Sequence, residues 1–110
     1  MSLILHRFFG HGLYILDEPE AALSPMRQLA MLNRMHQLVH QHSQFIIATH
    51  SPILLAYPRA KILTLGESGF TETEYEQTEH FTVTRRFLAD HQRFLERLFA
   101  EDEEDQANAG

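Results

Sequence analysis

The sequence contains no cysteine. That excludes a disulfide framework and a zinc site built on thiolates. No apolar run approaches the ~20 residues that cross a bilayer as a helix, so no membrane span is expected. Basic residues are scarce. Nine Lys and Arg face fifteen Asp and Glu, a formal net charge of -6, with much of the excess in the tail EDEEDQANAG. That balance argues against broad electrostatic binding to nucleic acid, leaving any narrower nucleic-acid role open. The start, MSLILHRFFGHG, carries its basic residue inside the apolar stretch and has no small-residue cleavage site, so it does not read as a signal peptide. A cytoplasmic location is expected.

What remains is 110 residues, 44% of them hydrophobic, which is one domain or part of one with a modest core. LILHRFF reads as a short helix or the end of a longer one, closed by Gly10 and Gly12. LYIL, residues 13–16, is apolar on consecutive positions, the pattern of a strand buried on both faces. Ser24 and Pro25 then form a cap and first turn. From there Met31, Leu32, Met35, Leu38 and Val39 recur at helical spacing, with Arg27, Arg34, Gln37 and Gln41 opposite. QFIIATHSP supplies a second buried strand, Phe45 to Ala48, ending at Thr49 and His50. Ser51 and Pro52 repeat the capped start before a short helix, ILLAY. AKILTLG is a third strand, Glu67-Ser68-Gly69 a turn, and FTETEY alternates like an edge strand. From about Thr78 to Ala100 the pattern is helical, with Phe87, Leu88, Phe94, Leu95, Leu98 and Phe99 as its apolar stripe and Asp90 as an internal cap. Residues 101–110 are acidic and lack apolar anchors, so they are expected to be disordered.

Strand, helix and strand from Leu13 to Ala48 have the length of a right-handed parallel crossover. Ligands of such sheets gather beyond the carboxyl ends of the strands. The crossover therefore brings Asp17, Glu18, Thr49 and His50 to one rim. A firmly held Asp17 suits a hard cation bound through water. Glu18 suits a group that orients or polarises an attacking water. His50 suits a donor to a phosphoryl oxygen. Together they form a phosphoryl-transfer constellation. Taken singly, each has a plainer reading: acids are favoured near a helix start, and a histidine after a strand is more often structural.

LYILDEPEAALSP resembles the Walker B strand, catalytic glutamate and D-loop of ATP-binding-cassette (ABC) ATPases, and FIIATHSP resembles their H-loop. The likeness is greatest to bacterial predicted AAA-family ATPases built on that core, and it runs from about Gly12 to Pro58, more weakly through TEHFTVTRRFL. It implies an α/β fold: a partial P-loop NTPase core with parallel strands and a crossover helix, then a short edge strand and C-terminal helices. On this reading residues 1–100 are the C-terminal portion of an ABC-type ATPase domain. The resemblance makes Asp17 the magnesium residue, Glu18 the catalytic glutamate and His50 the γ-phosphate switch. Ala22, Leu23 and Ser24 would be the D-loop, which reaches across a dimer of ATPase heads, and Ser24 joins Asp17 among the nucleotide-binding residues. Many relatives have an aspartate where this chain has Ser24, which also reads as a helix cap.

The resemblance also exposes what is missing. A P-loop needs G-x-x-x-x-G-K-[ST]. The five glycines, at 10, 12, 66, 69 and 110, never directly precede the single lysine, Lys61. Q-loop and signature motifs are absent too. The chain is therefore read as the C-terminal part of an ATPase, expected to be inactive alone, with Mg2+ and ATP engaged only when the P-loop part is present. Its expected partner is that N-terminal half or a second ATPase head. Two alternatives stand beside it: a non-enzymatic interaction module carrying relic motifs, and a metal-dependent phosphohydrolase using Asp17, Glu18 and His50 directly. His36 and His40 have a metal-binding spacing but no evident third ligand. Arg85 and Arg86 read as an exposed helix face. Ser51 lacks a nucleophile elbow and reads as a cap.

Overall fold

The computed structural model describes residues 2–6 and 12–109. Five strands form one sheet in the order β2-β3-β1-β4-β5: β1 Ser2–His6, β2 Gly12–Asp17, β3 Ser43–Thr49, β4 Lys61–Gly66 and β5 Gly69–Glu72. Helix α1, Pro25–His40, carries the chain from β2 to β3, and those two strands pair in parallel from Gly12↔Ser43 to Asp17↔Ala48. The fold is thus mixed α/β with a small parallel unit, β2–β3, at one edge of the sheet and two C-terminal helices, α2 Glu79–Ala89 and α3 His91–Ala109.

Local chemistry explains most of these elements. Ser24 Oγ accepts from Arg27 N–H at 3.3 Å and Pro25 fills the first turn of α1, which satisfies an otherwise orphaned amide. Thr78 caps α2 by accepting from Phe81 N–H at 3.2 Å. Asp90 accepts from Arg93 N–H at 3.3 Å and starts α3. Gly69, with φ +103°, closes the β4–β5 hairpin in a backbone region that side chains resist.

The core lies on one face of the sheet. Met35 and Val39 of α1, Phe45 and Ile47 of β3, Ile62 of β4, and Leu54, Leu55 and Tyr57 are all buried there. Alternate residues of β3, from Ser43 to Thr49, point into it. Leu54 and Leu55 belong to a single 3-10 turn, Leu54–Ala56, shorter than the helix expected from ILLAY. The opposite face carries exposed apolar side chains. Leu13 and Ile15 of β2 are 58% and 70% exposed, and Leu65 and Phe70 are similarly bare. Pairing register puts these four on one side of the sheet.

The structure departs from the sequence expectations at several further points. The segment read as an N-terminal helix is β1 over residues 2–6, paired antiparallel to both β3 and β4; the expected stop at Gly10 lies outside the described residues. A short apolar run has no periodicity of its own to choose between helix and strand, so the slot between β3 and β4, with its two rows of backbone partners, decides. Second, β2 is an edge strand, and nothing among the described residues packs on its outer side, so the second covering that its LYIL pattern calls for is not supplied by them. Third, the acidic segment from Glu101 is helical to Ala109. It holds no glycine or proline before Gly110, and Gln106 reaches Asp102 one turn back at 3.2 Å, so continuing α3 costs little. FTETEY is a strand only as far as Glu72, followed by a 3-10 turn at Tyr75–Gln77.

Candidate active site at the rim of the parallel strands

The parallel ladder ends at Asp17↔Ala48, and Glu18 N–H extends it by one bond to Ala48 O at 2.7 Å. There the chain turns. Glu18 has φ 47° and ψ 52°, a left-handed conformation that costs a non-glycine residue ~1–2 kcal/mol. Pro19, which disfavours the right-handed helical region for the residue before it, starts a 3-10 turn at Pro19–Ala22, closed by Ala21 N–H to Glu18 O at 3.1 Å. The break in the backbone therefore aims Glu18. Its Oε1 lies 3.2 Å from His50 Nε2, at the end of the adjacent strand. Both side chains are about half exposed, so the pair adds little stability. Its consequence is geometric: a carboxylate and an imidazole face solvent side by side.

A second carboxylate fixes this arrangement from beneath. Thr49 Oγ1 donates to Glu20 Oε1 at 2.7 Å, and His50 N–H donates to Glu20 Oε2 at 2.8 Å. Thr49 is fully buried and its hydroxyl also accepts from Ser51 N–H at 2.9 Å. Ser51 Oγ donates to Gln28 Oε1 and accepts from Ile53 N–H and Leu54 N–H at 3.1 and 3.0 Å. Gln28 Nε2 in turn donates to Leu23 O at 3.2 Å. One connected network thus ties the turn after β2, the exit of β3, the first turn of α1 and the start of the Leu54–Ala56 turn. Burial works to raise the Glu20 carboxyl, but hydrogen bonds from Thr49 and His50 N–H, with the nearby His50 ring, outweigh it and leave its pKa below the ordinary value.

His80, near the start of α2, completes the rim. Its ring centroid lies 5.7 Å from that of His50. Burial lowers its pKa, and the neighbouring His50 lowers it further, against an upward pull from Glu79 and Glu20. Its Nδ1 is buried with no hydrogen-bond partner among the described residues, which favours the uncharged ring.

The structure brings Glu18 and His50 together, with Asp17 at the neighbouring strand end. Ser24 is at the start of α1 as a helix cap, and Ala22 and Leu23 end the 3-10 turn beside it. Ser51 is a cap, as its pattern implied. His36 Nδ1 lies 3.1 Å from Tyr57 Oη, and His40 Nδ1 lies 2.9 Å from His36 O, so each ring is engaged in local structure. Arg85 and Arg86 are exposed on α2. Among the described residues no group of three His, Cys, Asp or Glu is placed to hold a metal ion, and no helix is long and apolar enough to cross a membrane. Sequence reasoning missed Glu20 and His80 as members of the site. The crossover argument had already carried Thr49 to the rim; a buried hydroxyl there calls for an acceptor, and Glu20 is the acid that the 3-10 turn delivers. For His80 no signal was available, since its approach depends on how α2 packs. No protein-family model, no curated protein and no solved structure matches the chain.

Proposed function

We propose that this chain supplies the water-activating part of an ATP-hydrolysing site on an ABC-like P-loop NTPase core. The observation that carries the reading is the Glu18–His50 pair, 3.2 Å apart at the carboxyl ends of adjacent parallel strands, where such sheets bind ligands. Glu18 orients the attacking water and takes up its proton. Its half-exposed carboxylate leaves room for that water, and its left-handed backbone holds it off the strand axis. His50 donates to a γ-phosphoryl oxygen and reports its presence to Glu18. Asp17, alone at the end of β2, fits a hard cation that keeps most of its waters; Mg2+ held there through water would neutralise phosphate charge. The sequence contains no phosphate-cradling loop, so the reading requires one from outside these residues, on the N-terminal half of the same core or with a second ATPase head as partner.

The test is the complete ATPase, assembled with a P-loop portion. Glu18→Gln keeps the shape and loses the charge, so turnover falls by ~10²- to 10⁴-fold while ATP affinity persists. Hydrolysis by Glu18→Gln at the parental rate would refute the proposal. A second reading, a non-enzymatic interaction module, draws on the open sheet face around Leu13, Ile15, Leu65 and Phe70. It predicts partner binding that is insensitive to Glu18→Gln.

A further inference from the structure

Glu20 lies two residues beyond Glu18, yet its carboxylate turns away from the open rim and into the exit of β3. Its two oxygens are used separately: Oε1 by the Thr49 hydroxyl and Oε2 by the His50 amide. Gripping two successive residues fixes the rotation of the peptide between them, and so the direction in which the His50 side chain leaves the backbone. On its own side Glu20 has little freedom. Pro19 locks one dihedral angle between Glu18 and Glu20, and the turn is closed by Ala21 N–H to Glu18 O at 3.1 Å and Leu23 N–H to Glu20 O at 3.0 Å. Any shift of Glu20 against β3 therefore moves Glu18 against His50.

We infer that Glu20 is the positioning residue of the rim: it fastens the turn that carries Glu18 to the strand end that carries His50, and sets the distance between them. The inference rests on the reading of Glu18 and His50 as the reacting pair. It also separates Glu20 from them chemically. A positioning group needs hydrogen-bonding capacity, not charge. Glutamine at position 20 offers an oxygen to the His50 N–H and an NH2 to a lone pair of Thr49 Oγ1, so it preserves both links. Alanine preserves neither.

The decisive comparison is Glu20→Ala against Glu20→Gln, each examined by NMR in this chain. In the parent and in Glu20→Gln, the His50 amide is protected from exchange and its ring shows cross-relaxation to the Glu18 side chain. Glu20→Ala loses both signals while the methyl spectrum of Val39, Leu54 and Leu55 is kept. Should Glu20→Ala not fold, Glu20→Asp takes its place, its carboxylate drawn back by one methylene, with weakened His50 protection as the expected result. In the assembled ATPase, Glu20→Ala lowers kcat by ~10- to 10²-fold, the scale of a misplaced reacting group, with KM for ATP within about twofold, and Glu20→Gln restores the rate. An unchanged Glu18–His50 contact in Glu20→Ala overturns the inference, as does a Glu20→Gln variant as impaired as Glu20→Ala. If Glu18→Gln retains turnover in the same assay, the ATPase reading fails instead, and the NMR comparison still decides whether Glu20 positions the pair.

Discussion

Thr49→Val isolates the hydrogen bonds beneath the rim, because valine replaces the hydroxyl with a methyl of similar volume and leaves no cavity. Two bonds disappear: Thr49 Oγ1–H to Glu20 at 2.7 Å and Ser51 N–H to Thr49 Oγ1 at 2.9 Å. Ser51 and Thr49 are both buried, so the Ser51 amide is stranded away from water, a cost of ~1–3 kcal/mol. The bond to Glu20 adds about 1 kcal/mol, the value of an ordinary hydrogen bond, because solvent screens the partly buried Glu20 charge. The expected loss is ~2–4 kcal/mol out of the ~5–15 kcal/mol typical of a domain, or a fall in Tm of roughly 10–20 °C. Urea unfolding followed by circular dichroism at low protein concentration measures it. The pH dependence carries a sign. Glu20 has a lowered carboxyl pKa in the folded state, so its contribution is full above the ordinary value of 4.5 and disappears as pH falls through the folded value. The gap between parent and Thr49→Val therefore narrows toward acid, leaving the Ser51 share. Thr49→Ser, which keeps the hydroxyl, loses only about 1 kcal/mol for its methyl. A loss below about 0.5 kcal/mol for Thr49→Val, on the scale of an ordinary surface change, or a gap that widens toward acid, refutes the network's role.

The open sheet face makes a separate prediction: replacing Leu13 and Ile15, 58% and 70% exposed, with threonine lowers self-association in sedimentation velocity and changes stability by less than ~0.5 kcal/mol. Calorimetry of the chain alone with Mg-ATP gives no saturable heat at micromolar concentrations, because no backbone cradle or P-loop lysine is present to hold the phosphates; a sub-micromolar Kd contradicts the proposed division of labour. In the assembled ATPase, Asp17→Asn weakens magnesium-dependent nucleotide binding, measured as a shift in the Mg2+ concentration giving half-maximal affinity. His50→Ala slows hydrolysis with a smaller change in ATP affinity, and equal loss of both would assign His50 to binding alone.

By itself the sequence determined the central unit and the two ends of its rim. The apolar run before Asp17, the Ser24-Pro25 start, the helical spacing from Met31 to Val39 and the run before Thr49 are local signals, each set by backbone propensity or side-chain period. They yield β2, α1 and β3 in the observed order and bring Glu18 and His50 close together. Tertiary structure decided everything that depends on what lies alongside. An apolar segment carries no mark of whether its neighbours are present, so the same LYIL pattern that suits a covered strand forms an exposed edge here. Residues 2–6 take strand geometry because two strands far along the chain leave a slot with unpaired backbone groups. Glu20 meets Thr49 across 29 positions of sequence, and His80 meets His50 across 30, counted directly from their numbers. Such pairs have no periodicity to read. They exist only once the crossover has closed, when a buried hydroxyl and an amide at the end of β3 need an acceptor and the turn after Pro19 has one to give.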